Sequence, residues 1–165
     1  MKVKLLPVVS TAVVVLLSTF APAASDGSKA FDNLKSLEGS WSGKTPDGHA
    51  VQVSNRVTSG GSVMMSEITG REDMITMFHL DGGRLLMTHY CAAGNQPRMV
   101  ASLSPDGKTI TFDFLDATNL LPSQGGHMER VVFILIDADH HSEDWQFAQD
   151  GGQKLHEKFD LERQK

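Results

Sequence analysis

The chain has 165 residues, of which 40% are hydrophobic and 21% are charged, a mixture typical of one globular domain. This composition argues against a disordered or fibrous chain, and the presence of one cysteine excludes a small fold held by internal disulfides. The 15 basic and 20 acidic residues give a net charge of −5, which disfavours binding to nucleic-acid backbones.

The first 23 residues have the features of a cleavable export signal. Two lysines precede an apolar stretch over residues 5–20, and small residues follow at 21–23, where a signal peptidase would cut. The apolar stretch is shorter than the ~20 residues that span a bilayer. We therefore predict cleavage between Ala23 and Ala24, secretion or delivery to the periplasm, and no stable membrane insertion afterwards. The remaining residues, 24–165, form a single predicted domain.

A short helix is predicted at the start of this domain, because Phe31, Leu34 and Leu37 recur at helical spacing before Gly39. After it, turn motifs rich in Gly, Pro and Asp recur at strand-length spacing, and apolar and polar residues alternate between them. These patterns predict about ten strands, near residues 39–45, 49–58, 62–69, 72–80, 84–91, 98–104, 108–115, 128–137, 142–149 and 153–162.

No long helical pattern separates these strands, which excludes parallel βαβ units. Consecutive hairpins are satisfied best by an antiparallel up-and-down sheet that closes on itself, since closure leaves no free edge. The predicted fold class is therefore all-β, a closed β-barrel with a short N-terminal helix. The longest interruption, residues 116–126, is expected to form a lid or plug at one mouth.

The start of the first strand, residues 37–43 (Leu-Glu-Gly-Ser-Trp-Ser-Gly), follows the helix and resembles the Gly-x-Trp opening of the calycin superfamily. That superfamily includes lipocalins, fatty-acid-binding proteins and haem-binding nitrobindins, and ten strands are nearer to the last two groups. The resemblance implies that Trp41 closes the barrel floor beneath a basic residue of the last strand, here Arg163. Residues 88–99 and 126–128 also resemble uncharacterised exported bacterial proteins.

The hairpin over residues 73–91 concentrates sulfur and imidazole groups. A three-residue turn at 81–83 would place Met77 opposite Met87 and Ile75 opposite His89. In that register His79, His89 and Cys91 share one face of the hairpin. A slip of one residue would recombine the two faces, because side chains alternate along a strand.

The leading functional prediction is a barrel that holds a small, mostly apolar or amphiphilic molecule, with an acidic group among the options. Arg98 is the candidate partner for a ligand carboxylate. The predicted ligand-binding residues are His79, Met87, His89, Tyr90, Cys91, Asn95, Arg98, Met99, Phe112 and His127. Further apolar lining is expected from Met74, Phe78 and Phe133.

Two alternatives use the same residues. His79, His89, Cys91 and the neighbouring methionines are soft donors that suit copper or haem iron. Cys91 as a nucleophile, with His89 as its base and Asn95 as an oxyanion donor, would instead make a small enzyme. The methionines also fit a packed core. No motif identifies a cofactor or a catalytic residue.

The acidic and imidazole-rich run at residues 137–141 (Asp-Ala-Asp-His-His) has the composition of a metal cluster. It lies between two predicted strands and is followed by Glu143 and Asp144. We therefore predict a solvated acidic hairpin over this whole region.

Overall fold

The structure is a computed structural model that describes residues 25–165, and the predicted export signal lies outside the described residues. Its elements in chain order are helix α1 (Asp26–Lys35) and strands β1 (Gly39–Lys44), β2 (Ala50–Thr58), β3 (Val63–Thr69), β4 (Met74–Asp81), β5 (Arg84–Tyr90), β6 (Gln96–Leu103), β7 (Thr109–Thr118), β8 (Gly126–Leu135), β9 (His140–Gln149) and β10 (Lys154–Arg163). Short 3₁₀ turns occupy Ser59–Gly61 and Pro122–Gln124.

Each strand pairs antiparallel with the next one along the chain, and β10 returns to pair with β1. The closing ladder runs from Trp41 opposite Arg163 to Lys44 opposite Asp160. The ring therefore has no free edge, which removes the template for edge-to-edge association. The predicted closed, ten-stranded, up-and-down barrel with a short N-terminal helix is confirmed.

Helix α1 covers one end of the barrel, which we call the floor. The Ser25 side chain accepts a hydrogen bond from the Ser28 N–H at 3.2 Å and caps the helix. Ala30, Phe31 and Leu34 form its buried face. A Cβ at Gly27 would lie 2.2 Å from the carbonyl oxygen of Gly83, so glycine permits this close approach between the helix and the β4–β5 turn. Within the described chain, no helix has both the length and the apolar character needed to cross a bilayer.

Trp41 and Arg163 complete the floor as the calycin resemblance implies. The Arg163 guanidinium carbon lies 4.1 Å from the centroid of the Trp41 ring. The guanidinium donates hydrogen bonds to the carbonyl oxygens of Ser36, Glu38 and Ala138 at 2.7–2.9 Å. These bonds join the segment after α1 to the β8–β9 turn and close this end of the barrel.

The predicted register of the β4–β5 hairpin is wrong by one residue. Gly82 and Gly83 form a two-residue turn, so Asp81 lies opposite Arg84 and Thr76 lies opposite His89. A tight turn of this length is compatible with hairpin twist because Gly82 adopts a positive φ of 60°. The inner face of the hairpin therefore carries Met74, Thr76, Phe78, Leu85, Met87 and His89, and the outer face carries Ile75, Met77, His79, Leu86, Thr88 and Tyr90.

The middle of the barrel is a packed core. Phe78, Phe112 and Phe133 contact one another with ring centroids 5.5–5.9 Å apart. Met87 and Met99 are fully buried among them. These flexible thioethers fill the interior around the aromatic rings, so side chains pack closely at this level of the barrel.

The expected lid over residues 116–126 is shorter than predicted. β7 continues to Thr118 and β8 begins at Gly126, which leaves only residues 119–125 as a loop. Asn95 donates a hydrogen bond to the Gly126 carbonyl oxygen at 2.8 Å, which ties this loop to the β5–β6 turn. β7 and β8 pair only from Thr109 to Asp113, so the two strands diverge beyond that point.

Candidate functional site

The end of the barrel opposite α1, which we call the mouth, holds a cavity of about 550 Å³. This volume lies within the range of ~300–1,000 Å³ that is usual for small-molecule sites. Because the strands run up and down, every second turn lies at the mouth, and three of these turns contribute to the cavity wall. The cavity is lined by Pro46, Asp47, Arg71, Glu72, Met74, Cys91, Ala92, Ala93, Met128, Trp145, Phe147, Leu155, His156 and Glu157.

The deep part of the cavity wall is apolar and aromatic. On β9 and β10, Phe147 lies opposite Leu155 and Trp145 lies opposite Glu157. Trp145 donates its indole N–H to Oε2 of the buried Glu143 at 2.9 Å. This bond fixes the orientation of the indole ring at the cavity wall, since Trp145 is only 3% exposed.

The rim of the cavity is charged. Arg71 Nη2 donates to Asp47 Oδ2 at 2.6 Å. The Thr45 hydroxyl, His49 and Arg71 bond to the Asp47 carboxylate and hold its pKa well below the usual range. Glu72 and Glu157 also line the cavity, and neither forms an ion pair with another residue of the described chain.

His89 lies directly below the cavity. Its Nδ1 is 2.9 Å from the Thr76 hydroxyl, and its ring centroid is 4.8 Å from that of Trp145. The ring is completely buried, and its Nε2 has no hydrogen-bond partner among the described residues. Burial lowers the pKa of His89 to about 4, so the imidazole is neutral at pH 7.

Cys91 lies two residues further along the inner face and lines the cavity. Burial raises the pKa of its thiol, and the nearby Glu72 carboxylate raises it further. Within residues 25–165, no hydrogen bond joins this thiol to His89, whose Nδ1 is bonded to Thr76. The arrangement therefore lacks the activated thiolate that the enzyme hypothesis requires.

The predicted ligand-binding residues are distributed over several environments. Cys91 lines the cavity and His89 lies beneath it, whereas Met87, Met99 and Phe112 belong to the packed core. Met74 also lines the cavity, but Phe78 and Phe133 belong to the core.

Three of the predicted ligand-binding residues lie away from the cavity, on the outer surface of the barrel. The corrected hairpin register places His79 and Tyr90 on the outer face of the barrel. Arg98 is exposed and donates to both carboxylate oxygens of Asp116, so its charge is already matched outside the barrel.

Two of the predicted residues act in the loops of the mouth. Asn95 is buried and hydrogen-bonds to Gln124 and to the Gly126 carbonyl. His127 stacks on Phe114 with ring centroids 4.4 Å apart. These contacts hold the β5–β6 and β7–β8 turns in place beside the cavity.

The predicted donor set for a metal is only partly brought together. His79 lies on the opposite face of the barrel wall from His89 and Cys91, because the hairpin register differs by one residue from the predicted one. Among residues 25–165, no group of three or more His, Cys, Asp or Glu side chains is arranged to hold a metal ion.

The acidic run after β8 follows the prediction only in its first part. His140 is exposed and bonds to Asp137 at 2.8 Å, as expected for a solvated hairpin. His141 and Glu143 are instead fully buried, with His141 Nε2 at 3.1 Å from Glu143 Oε1. The prediction is wrong for these two residues because they share the inward-facing parity of Trp145 on β9.

Sequence reasoning missed most of the cavity wall. Arg71 and Glu72 lie in the β3–β4 turn, of which the sequence predicted only residues 70 and 71, whereas Met128 lies near the start of β8 and Glu157 lies on β10. The signal that identifies them is the alternation of turns between the two ends of an up-and-down barrel, which places residues 45–49, 70–73, 91–95 and 150–153 together.

Solved structures of other proteins share this fold, and two of them illustrate the likeness. The crystal structure of Rv2717c from M. tuberculosis matches with a TM-score of 0.59 and 18% sequence identity, over 82% of this chain and 98% of that chain. A protein of unknown function from the DUF3598 family of Nostoc punctiforme matches with a TM-score of 0.53 and 12% identity, over 80% of this chain and 49% of that one. The present chain thus spans about half the length of the Nostoc protein. At these identities the likeness shows the fold alone. No protein-family model matches the chain, and no curated protein matches it.

Proposed function

We propose that this protein binds a small, largely apolar molecule in the cavity at the mouth of the barrel. The observation that carries the proposal is the contrast between a sealed floor and a mouth with a cavity of about 550 Å³. Apolar side chains of Met74, Met128, Phe147 and Leu155 supply surface for burial at roughly 25 cal/mol per Å². Polar rim groups orient the ligand, as is usual in such sites.

The proposal includes a calycin-type barrel, which the Gly39–Trp41 opening and the Arg163–Trp41 contact support. It also includes export, with cleavage between Ala23 and Ala24. Ser25 caps α1 and donates to the Gly83 carbonyl at 3.1 Å, so a mature chain that begins at Ala24 would retain this helix cap. The intact mass of the protein isolated from the periplasm or medium tests export, and a mass that retains residues 1–23 would contradict it.

The binding proposal is tested by native mass spectrometry of protein purified from its own compartment. We expect a bound small molecule that is lost from the variant Met128→Glu, which places a charge in the apolar wall. Leu115→Glu on an exposed position of β7 outside the cavity is the matched control and should retain it. Absence of any bound molecule, together with no uptake of added octanol, would overturn the proposal.

A second candidate function is a haem or copper protein, which the state of His89 favours. A neutral, buried imidazole with an unpartnered Nε2 is a suitable ligand for haem iron or copper. When bound, either group would supply redox or gas-binding chemistry, and His89 would hold it with Cys91 nearby. A visible spectrum after reconstitution with haemin or copper tests this. Loss of the spectrum in His89→Ala but not in His79→Ala supports it, and equal spectra in both variants exclude it.

A further inference from the structure

We infer that the mouth cavity selects a ligand with a positively charged group on an apolar body. This inference rests on the proposed function and names the chemical class of its ligand. It departs from the sequence-based option of an acidic ligand, and it follows from which charges around the cavity are already matched.

The carboxylates of the cavity outnumber its available cations. Among residues 25–165, Arg71 is the only arginine or lysine that lines the cavity, and its guanidinium is bonded to Asp47 at 2.6 Å. Glu72 and Glu157 have no ion-pair partner within the described chain. His156 bonds to Asp144 at 3.2 Å. The wall therefore retains two unmatched negative charges, which attract a cation and repel an acid.

The same wall offers aromatic surface next to one of these charges. Trp145 lies directly opposite Glu157 across the β9–β10 ladder, and Phe147 is the next inward residue on β9. The indole N–H of Trp145 is engaged by Glu143, so the ring cannot turn freely. Trp145 is almost fully buried, so the accessible aromatic face is that of the half-buried Phe147, and a carboxylate beside such a face recognises alkylammonium groups through charge attraction and cation–π contact.

The residue expected to bind an acid does not face the cavity. Arg98 lies on the outer wall and is bonded to both oxygens of Asp116. Below the cavity, neutral His89 adds no positive charge at pH 7. The geometry thus supplies recognition for a cationic head and apolar burial for its chain, whereas the described lining offers no unpaired arginine or lysine to a carboxylate.

Three probes with the same octyl chain test this inference: octyltrimethylammonium, octanol and octanoate. Their affinities are measured by calorimetry on the wild-type protein at low and high salt. We expect octyltrimethylammonium to bind about tenfold more tightly than octanoate, with octanol between them, and the difference to shrink as salt screens the rim. In the double variant Glu72→Gln/Glu157→Gln the preference should fall to about twofold while octanol binding persists.

The control variant is Glu162→Gln, which removes an equal type of charge from the outer face of β10 and should keep the preference. Octanoate binding as tightly as the cation, or an unchanged preference in the double variant, would overturn the inference and leave the binding function standing. If none of the three probes binds, octanol included, the proposed function itself fails.

Discussion

The two ends of this barrel use charged residues in opposite ways. At the floor, Arg163 donates to three backbone carbonyls and covers the Trp41 ring, so that its charge serves closure. At the mouth, Arg71 pairs with an exposed carboxylate, and Glu72 and Glu157 have no ion-pair partner among residues 25–165. The comparison teaches that one end of a closed barrel can supply stability while the other leaves charged groups without partners, as the proposed binding function requires.

The largest expected effect is the loss of stability when the floor is altered. Trp41→Ala removes a fully buried indole and should lower the free energy of unfolding by about 3–5 kcal/mol. Leu155→Ala at the mouth, where the side chain is 45% exposed, should change it by less than about 0.5 kcal/mol. Urea denaturation measures both. If Trp41→Ala does not fold, Trp41→Phe should still be clearly less stable than Leu155→Ala, and equal midpoints would contradict the comparison.

Replacing Arg163 and Arg71 in separate variants tests the contrast between the floor and the mouth. Arg163→Gln removes three charge-assisted hydrogen bonds to backbone carbonyls and the cation–π contact with Trp41, and should reduce stability by about 2 kcal/mol. Arg71→Gln removes an exposed ion pair and should leave the thermal midpoint nearly unchanged. Thermal unfolding followed by circular dichroism compares them, and a larger loss in Arg71→Gln would reverse our assignment of the two ends.

A third prediction concerns pH and the layer beneath the cavity. The pKa of His89 is about 4 in the folded protein and near 6.5 when unfolded, so the unfolded state binds more protons between these values. The contribution of His89 to the free energy of unfolding should therefore be complete above pH 6.5 and should decrease as pH falls towards 4. We expect a loss of about 2 kcal/mol between pH 7 and pH 5. His89→Gln should remove this part of the pH dependence, whereas His127→Gln should retain it. Identical profiles for wild type and His89→Gln would refute the assignment.

The smallest effect is kinetic and confined to the mouth. Because burial and Glu72 raise the pKa of the Cys91 thiol, its alkylation at pH 7 should be slower than that of a free cysteine. Glu72→Gln should accelerate the reaction modestly, with no change in fold. Mass spectrometry follows the modification directly, since this is the chain's one cysteine. Alkylation as fast as that of a solvent-exposed thiol would contradict the cavity wall described here.

The architecture was predictable because most turns are encoded by short local sequence motifs. Pro, Asp and Gly at the hairpin ends set backbone angles whatever the distant contacts are. The predicted strand boundaries were less accurate where a strand pairs with one neighbour only, as at the start of β6. Gln96 and Pro97 belong to β6 because they pair with Thr118 and Ala117 of β7, although proline offers no N–H to a ladder.

The site was harder to predict because it depends on register and on which turns share an end. A single residue in the length of the turn at Gly82 decides whether Ile75 or Thr76 lies opposite His89, and therefore whether His79 shares a face with His89. The pairing of Trp145 with Glu157 appears only when the β9–β10 register is known. The sulfur and imidazole pattern of the sequence therefore identifies β5 correctly, but it identifies only part of the cavity wall.

The divergence of β7 and β8 has a mechanical consequence. Their ladder joins Thr109–Asp113 to Arg130–Ile134, whereas the β9–β10 ladder runs the whole length from Lys154 to Glu162. Amides that face this seam in the upper half of both strands have few inter-strand bonds to break. Opening of the wall should therefore be easier along this seam than along the β9–β10 ladder, and amide hydrogen exchange in the upper half of β7 and β8 should be faster than in β9 and β10.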